Sequence, residues 1–193
     1  MPATAAQSNN LRMYVNDMVA LERHIEDAID RQRTDERVQA LPEVAALVER
    51  IHEVTRAHVL TMENHAAAIG GEFGASVKEA VSSMAGVVAG IYDKVRKHPV
   101  SRLLRDDYTA LSLSCTSYSM LYTTALALRE APVANVSLRH LHEITPLVME
   151  LSRIIPSVVL TELAQDDPAI DQTVLARAQA DTLAAWSSGM HEA

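Results

Sequence analysis

The sequence predicts an all-α protein, and three observations lead to this prediction. Hydrophobic residues make up 48% of the 193 residues, whereas aromatic residues make up 4%, and there are six glycines. An apolar chain that is rich in Ala, Leu and Val and poor in Gly favours helices with an aliphatic core. Apolar residues also recur at helical spacing over long stretches. The length suits one domain, which we take to be residues 1–193.

The first predicted helix runs from about Leu11 to Arg33 and carries one carboxylate inside its apolar stripe. Residues 1–10 before it are small and polar, and we expect them to be disordered. Glu22 stands in the middle of the stripe, where burial disfavours its charged form, so it must be paired or protonated. The stripe contains Leu11, Val15, Met18, Glu22, Ile25 and Ile29.

The second predicted helix begins near Pro42, which suits a first helical turn, and ends near Ile69 before Gly70-Gly71. A short link from the first helix predicts an antiparallel helical hairpin. Polar side chains interrupt the apolar stripe of this helix, and burying them costs free energy unless they find partners. This stretch therefore holds the candidate site. The stripe contains Val44, Val48, Ile51, Thr55, His58, Met62, His65 and Ile69.

Four further segments complete the predicted fold. A helical piece over about 77–97 precedes a long helix over 100–129, which has no charged residue from Tyr108 to Leu128. Because this stretch also contains many Ser, Thr and Tyr residues, we interpret it as a covered bundle helix rather than a membrane span. Prolines at 146 and 156 predict a kinked or segmented helix over 136–163. A helix appended at 171–187 docks on the bundle or on a partner chain. The predicted inward residues of the 136–163 helix are Leu141, Val148, Leu151, Ile155 and Val158.

Charge and cysteine content exclude several kinds of protein. The net charge is −8 and the basic residues are scattered, which argues against a nucleic-acid-binding surface. The single cysteine, Cys115, excludes an intrachain disulfide and a cysteine-based zinc site. The first ten residues lack the basic and apolar regions of a signal peptide, so we expect a cytoplasmic protein.

The second helix resembles that of the ferritin-like bacterial stress proteins of the YciE/YciF type. Their second helix reads E-T-x-x-H/Q-V-x-x-L-E-x-x-F-x-x-L-G, and this chain reads VTRAHVLTMENHAAAIGG. Glu22 resembles the carboxylate of that family's first helix, and Tyr118 a tyrosine of its third long helix. The resemblance implies a ferritin-like four-helix bundle with a short middle helix, here with an extra C-terminal helix. The matching positions of the second helix are Thr55, His58, Val59, Glu63 and Gly70, with Ile69 as a conservative match.

The resemblance also implies a metal site, which the sequence only partly supplies. Ferritin-like di-metal proteins hold Fe or Mn with four carboxylates and two histidines. Glu22 and His58 match two of these ligands, but Val54 replaces an expected Glu. In the uncharged helix, Thr116 and Ser119 stand where acids are expected. The last long helix offers His140, His142, Glu143 and Glu150, with the first and third as His-x-x-Glu rather than Glu-x-x-His.

We therefore predict a degenerate metal centre, and three functions stay open. The first is a non-enzymatic, stress-associated or protein-interaction bundle that forms a homodimer and needs no cofactor. The second is a metalloprotein that binds Fe, Mn or Zn through Glu22, His58 and a ligand from the last long helix, with a redox role. The third is a bundle that holds a small apolar ligand in a cavity lined by Thr55, Thr116, Tyr118 and Ser119.

Overall fold

The protein is all-helical over the residues that the computed structural model describes, which are 5–69 and 99–191. The predicted helical piece over 77–97 and the predicted stop at Gly70-Gly71 lie outside these residues. The described part contains four long helices, a four-residue helix in the first link and a C-terminal helix. They are α1 (Ala5–Arg33), α2 (Glu36–Gln39), α3 (Pro42–Ala68), α4 (Val100–Leu128), α5 (Ala131–Asp166) and α6 (Leu175–His191), with a 3₁₀ turn at Gln172–Val174 before α6.

α1 and α3 form the predicted antiparallel hairpin. Arg33, at the end of α1, donates two hydrogen bonds to the carboxylate of Glu49, near the start of α3. Arg23, in the second half of α1, lies 2.6 Å from the Glu63 carboxylate, near the end of α3. Residues later in α1 thus pair with residues earlier in α3, as an antiparallel hairpin requires.

The other three contacts between long helices are antiparallel as well. α1 packs on α4, α4 on α5, and α3 on α5. Because α4 is antiparallel to α1, as α3 is, α3 ends at one end of the bundle and α4 begins at the other. The side-chain pairs that fix these directions are Glu22–Ser114 and Gln32–Asp107 for α1 and α4, Tyr118–His140 and Ser101–Glu162 for α4 and α5, and His58–Glu143 and Arg50–Glu150 for α3 and α5.

The core is aliphatic, and the predicted stripes of the first two long helices are confirmed. All six predicted residues of α1, including Glu22, are buried. In α3 the six positions from Val44 to Met62 are buried, and His65 and Ile69 are partly exposed. In α4 the inward face contains Leu104, Leu111, Ser114, Tyr118, Leu121 and Ala125.

α5 differs from its prediction in two ways. It is one unsegmented helix through Pro146 and Pro156, both of which retain solvent exposure, so water can satisfy the carbonyls that these prolines leave free. Its inward face also overlaps the predicted one only in part, because Leu151 and Val158 are buried as predicted, whereas Leu141, Val148 and Ile155 are only partly buried. The buried face contains Val133, Ser137, His140, Ile144, Leu147, Leu151 and Val158.

The ends of the chain also differ from the predictions. α1 begins at Ala5 rather than near Leu11, since Ala5-Ala6-Gln7 are good helix formers. α6 packs mainly on α5, Trp186 of α6 also contacts Tyr108 of α4, and most of the described side chains of α6 are exposed. By length and composition, α5 is the one described helix that could cross a membrane, but a core helix can meet the same criteria.

Candidate functional site

A layer of polar side chains crosses the apolar core halfway along the bundle. α1 contributes Glu22 and α3 contributes His58, each from the middle of a buried stripe. α4 contributes Ser114 and Tyr118, one helical turn apart, and both are fully buried. α5 contributes buried His140 and, three residues later, the partly exposed Glu143. The four long helices thus bring six polar side chains to one level of the core.

Glu22 is a fully buried carboxyl group with one hydrogen-bonded oxygen and one free oxygen. The Ser114 hydroxyl donates to Oε1 at 2.6 Å, whereas Oε2 has no hydrogen-bond partner among the described residues. Burial raises the pKa of the Glu22 carboxyl from 4.5 to about 7, and the hydroxyls of Ser114 and Tyr118 oppose this rise. A carboxyl group with this pKa is mostly protonated below about pH 7 and mostly ionised above it.

His58, His140 and Glu143 form a compact group of metal-ligand types. One potential ligand atom from each lies within 4.8 Å of the other two. The two imidazole rings are stacked, with centroids 3.7 Å apart and planes 10° from parallel. His58 Nε2 lies 2.7 Å from Glu143 Oε2 and must donate this hydrogen bond, because an ionised carboxylate only accepts. Glu143 is the member of the group that solvent reaches.

Both imidazoles are held in the neutral form that binds metals. Burial lowers the pKa of His58 to about 3, and the charge of Arg139 acts in the same direction. Burial also lowers the pKa of His140 to about 3, with a further contribution from His58. A neutral imidazole offers a lone pair to a cation. Neither histidine therefore has to release a proton to solvent before it binds a metal ion.

Tyr118 connects the histidine pair to Glu22. Its hydroxyl lies 2.9 Å from His140 Nδ1, and its ring meets both imidazoles edge-on, with centroids 5.8 Å from His58 and 5.2 Å from His140. Burial raises the pKa of the phenol well above its usual value, and the nearby Glu22 carboxyl raises it further. Tyr118 is therefore a neutral hydroxyl that fixes the orientation of His140.

The structure brings the predicted metal residues Glu22 and His58 together, whereas only two of the four predicted cavity residues, Thr55 and Tyr118, lie in the core. Glu22 Oε2 and His58 Nδ1 lie 3.8 Å apart. Thr55 is buried, and its hydroxyl bonds to the Ile51 carbonyl in its own helix. The predictions for Thr116 and Ser119 are wrong, because both are exposed. The inward positions of α4 are 111, 114, 118 and 121, so 116 and 119 point outwards.

Sequence reasoning missed Ser114, and it named His140 and Glu143 only among four possible ligands of the last long helix without assigning either to the site. The apolar stripe predicted for the last long helix excluded His140, because residue 141 was assigned to the inward face. The signal was present in the His-x-x-Glu spacing, which places residues 140 and 143 one turn apart on one face. Ser114 carried no signal of its own, since an uncharged helix gives a serine no distinguishing context.

The donor set does not fit a ferritin-like di-metal centre. Such a centre needs four carboxylates and two histidines, whereas this layer holds two carboxylates and two histidines. α4 contributes hydroxyls where a carboxylate would be needed. By donor type the set does fit a single divalent ion, since two imidazoles and one carboxylate are a common three-ligand site for Zn²⁺ and Fe²⁺. Binding requires one imidazole to tilt out of the stack, so that both lone pairs point at the ion.

Comparison with protein-family models, with curated proteins and with solved structures gives no match for this chain. The resemblance to the YciE/YciF type stays a prediction that these comparisons neither support nor exclude.

Proposed function

We propose that this protein is a ferritin-like helical bundle that binds one divalent transition-metal ion through His58, His140 and Glu143. The observation that carries the proposal is the convergence of these three ligand atoms within 4.8 Å, two of them on buried imidazoles at the centre of the bundle. Fe²⁺, Mn²⁺ and Zn²⁺ are the ions this donor set suits. The metal-free alternative of a purely structural polar layer predicts no such affinity.

The arrangement of the helices supports the ferritin-like part of the proposal. Four antiparallel contacts place the end of α3 and the start of α4 at opposite ends of the bundle. A four-helix bundle with one long crossover connection is the ferritin-like topology. Glu22 of α1 and His58 of α3 both lie in the polar layer halfway along the bundle, and the resemblance implies metal-site residues at these two positions.

The chemistry available at such a site follows from its three ligands. Three protein ligands leave at least one position on the ion for water or another small molecule. Glu143 gives this position a route to solvent, because its side chain is 44% exposed. A bound Fe or Mn ion would supply one-electron redox chemistry. The protein would contribute two neutral imidazoles and a carboxylate as ligands, and the buried side chains of α1 would exclude water on that side of the ion.

Metal titration tests the proposal directly. The protein is purified without a metal-chelating column, and its metal content is measured by elemental analysis. Metal-free protein is then titrated with Zn²⁺, Mn²⁺ and, without oxygen, Fe²⁺. We expect one ion per chain and a loss of affinity of at least tenfold in H140A and in E143Q. His142→Ala is the matched control, since His142 is an exposed neighbour on the same helix. Equal affinity in wild type and H140A would contradict the proposal.

A second candidate function is protein interaction through the C-terminal region. Val174, Leu183 and Trp186 are 42%, 44% and 50% exposed, so about half of their apolar surface faces solvent, even though Trp186 contacts Tyr108 of α4. We propose that this region joins two copies of the chain in a homodimer. Sedimentation of wild type and of L183E tests this, and a monomeric wild type at micromolar concentration would exclude it. The cytoplasmic location, the stress-associated role and the lack of nucleic-acid and membrane partners remain predictions.

A further inference from the structure

Two buried polar atoms that lack hydrogen-bond partners face each other beside the proposed metal site. They are Oε2 of Glu22 and Nδ1 of His58, and 3.8 Å separates them. This distance is too long for a hydrogen bond. Unpaired buried polar atoms are costly, so a state of the protein that pairs them gains free energy.

The position of the hydrogen on His58 explains why the two atoms are unpaired in the metal-free protein. His58 Nε2 donates to Glu143, so a neutral His58 carries its hydrogen on Nε2 and has none on Nδ1. Nδ1 then offers a lone pair to the lone pairs of the Glu22 carboxylate. While Glu22 is ionised, neither atom can donate, and the pair stays open.

Metal binding at Nε2 reverses this arrangement. The ion takes the Nε2 lone pair, so a neutral imidazole must carry its hydrogen on Nδ1. Nδ1–H then faces Glu22 Oε2 and can donate to it once the two atoms move from 3.8 Å to hydrogen-bond distance. The two ring nitrogens point to opposite sides of the ring, so Glu22 cannot reach an ion bound at Nε2.

We propose that Glu22 is a positioning residue rather than a metal ligand, and that its Oε2 accepts the Nδ1–H of His58 when Nε2 binds the ion. This inference rests on the proposed metal site and deepens it. Carboxylates that accept a hydrogen bond from a metal-bound imidazole fix its orientation and strengthen it as a ligand. The inference departs from the resemblance, which implies a metal-ligating role for the carboxylate of the first helix.

Ser114 prepares Glu22 for this role. Its hydroxyl holds Oε1 at 2.6 Å and leaves Oε2 alone to face His58. Tyr118 orients the second imidazole in a similar way. Its hydroxyl forms a hydrogen bond with His140 Nδ1 at 2.9 Å, which leaves His140 Nε2 for the ion. Each proposed histidine ligand thus has a polar group on α1 or α4 that orients its far nitrogen.

The test compares Zn²⁺ affinity in wild type, E22Q and E22M at one pH. Gln keeps the shape and can still accept a hydrogen bond but has no charge, and Met fills the volume without accepting. We expect wild type to bind most tightly, E22Q about tenfold more weakly, and E22M more weakly still. Glu63→Gln is the control, because Glu63 pairs with Arg23 and does not face His58. Equal affinities in wild type, E22Q and E22M would overturn the proposal.

Two spectroscopic readouts separate a positioning role from a structural or ligating one. In the Zn²⁺-loaded protein, proton NMR should show a slowly exchanging Nδ1–H resonance of His58 that shifts in E22Q and not in E63Q. In the Co²⁺-loaded protein, E22Q should keep the wild-type visible spectrum, because the ligands are unchanged. A changed spectrum would make Glu22 a ligand and overturn the proposal. If H140A and E143Q bind as tightly as wild type, the metal site itself is wrong.

Discussion

The buried carboxyl group of Glu22 predicts that the metal-free protein gains stability at alkaline pH when its charge is removed. The substitution is Glu22→Gln, which keeps the side-chain shape and lets the amide oxygen accept from Ser114. The amide hydrogens then face His58 Nδ1, which is a lone-pair acceptor in the metal-free protein. The variant thus removes a charge that burial disfavours and supplies a donor where none is present.

The magnitude follows from the pKa of Glu22 in the folded protein. Burial raises that pKa from 4.5 to about 7, so the folded protein holds this proton more tightly than the unfolded chain does. The tighter binding of this proton adds to the free energy of unfolding. The added free energy is fully present below pH 4.5 and is lost as pH rises to 7. Above pH 7 the loss amounts to about 3 kcal/mol, whereas at pH 5 it is about 1 kcal/mol. E22Q has no carboxyl group at this position, so its free energy of unfolding does not decrease in this way.

Urea unfolding of EDTA-treated protein, followed by far-UV circular dichroism, measures the effect. At pH 8 we expect the free energy of unfolding of E22Q to exceed that of wild type by about 3 kcal/mol, which corresponds to a rise of about 6–12 °C in Tm. At pH 5 the difference should shrink to about 1 kcal/mol. E63Q, which loses a partly exposed ion pair with Arg23, should lower stability by at most about 1 kcal/mol.

A difference between E22Q and wild type that does not change with pH would refute this reasoning, as would a less stable E22Q at pH 8. Either result would mean that the folded protein does not disfavour the ionised form of Glu22. Together with the expected loss of Zn²⁺ affinity, a more stable E22Q would show a carboxylate that lowers stability and serves binding.

Three further substitutions test the site and the helix register. Y118F should lower the free energy of unfolding in urea by about 1–2 kcal/mol, because it leaves His140 Nδ1 unpaired, whereas Y122F on the same helix should change it by less than about 0.5 kcal/mol. In the same assay L121A should lower the free energy of unfolding by about 2–5 kcal/mol, because residue 121 is buried. L126A should lower it by less than about 0.5 kcal/mol, because residue 126 is 55% exposed. Equal losses in the two variants would mean that the inward face of α4 is wrongly assigned. The depressed pKa of His140 predicts a loss of stability as pH falls below 6.5, and pH-dependent unfolding should show a shallower loss in H140Q; identical acid profiles would refute this.

Helix α3 shows how far a pattern along the chain can lead. Its apolar stripe, its start at Pro42 and its polar interruptions at Thr55 and His58 were all read correctly from spacing. Such spacing is informative because neighbouring turns of one helix share a face, which is a property of local geometry. The same reasoning identified Glu22 as a buried carboxyl group on α1.

Helix α5 shows where the pattern fails. Leu141, Val148 and Ile155 are as apolar as the residues on the buried face, so periodicity could not locate the centre of that face. Contact with α3 and α4 made the choice, and it turned His140 into the core and brought Glu143 to His58. Thr116 and Ser119 were misplaced for the same reason, since an uncharged helix does not mark its own outer face.

The sequence by itself determined the helices, the aliphatic core and the two polar residues Glu22 and His58, because helix formation and burial depend on spacing along one chain. Only the tertiary structure decided which groups meet. The stacked pair of His58 and His140, the hydrogen bond from His58 to Glu143 and the unpaired gap to Glu22 each depend on the rotation of one helix against another. That rotation is set by packing among three or four helices at once, and no single segment of the chain encodes it.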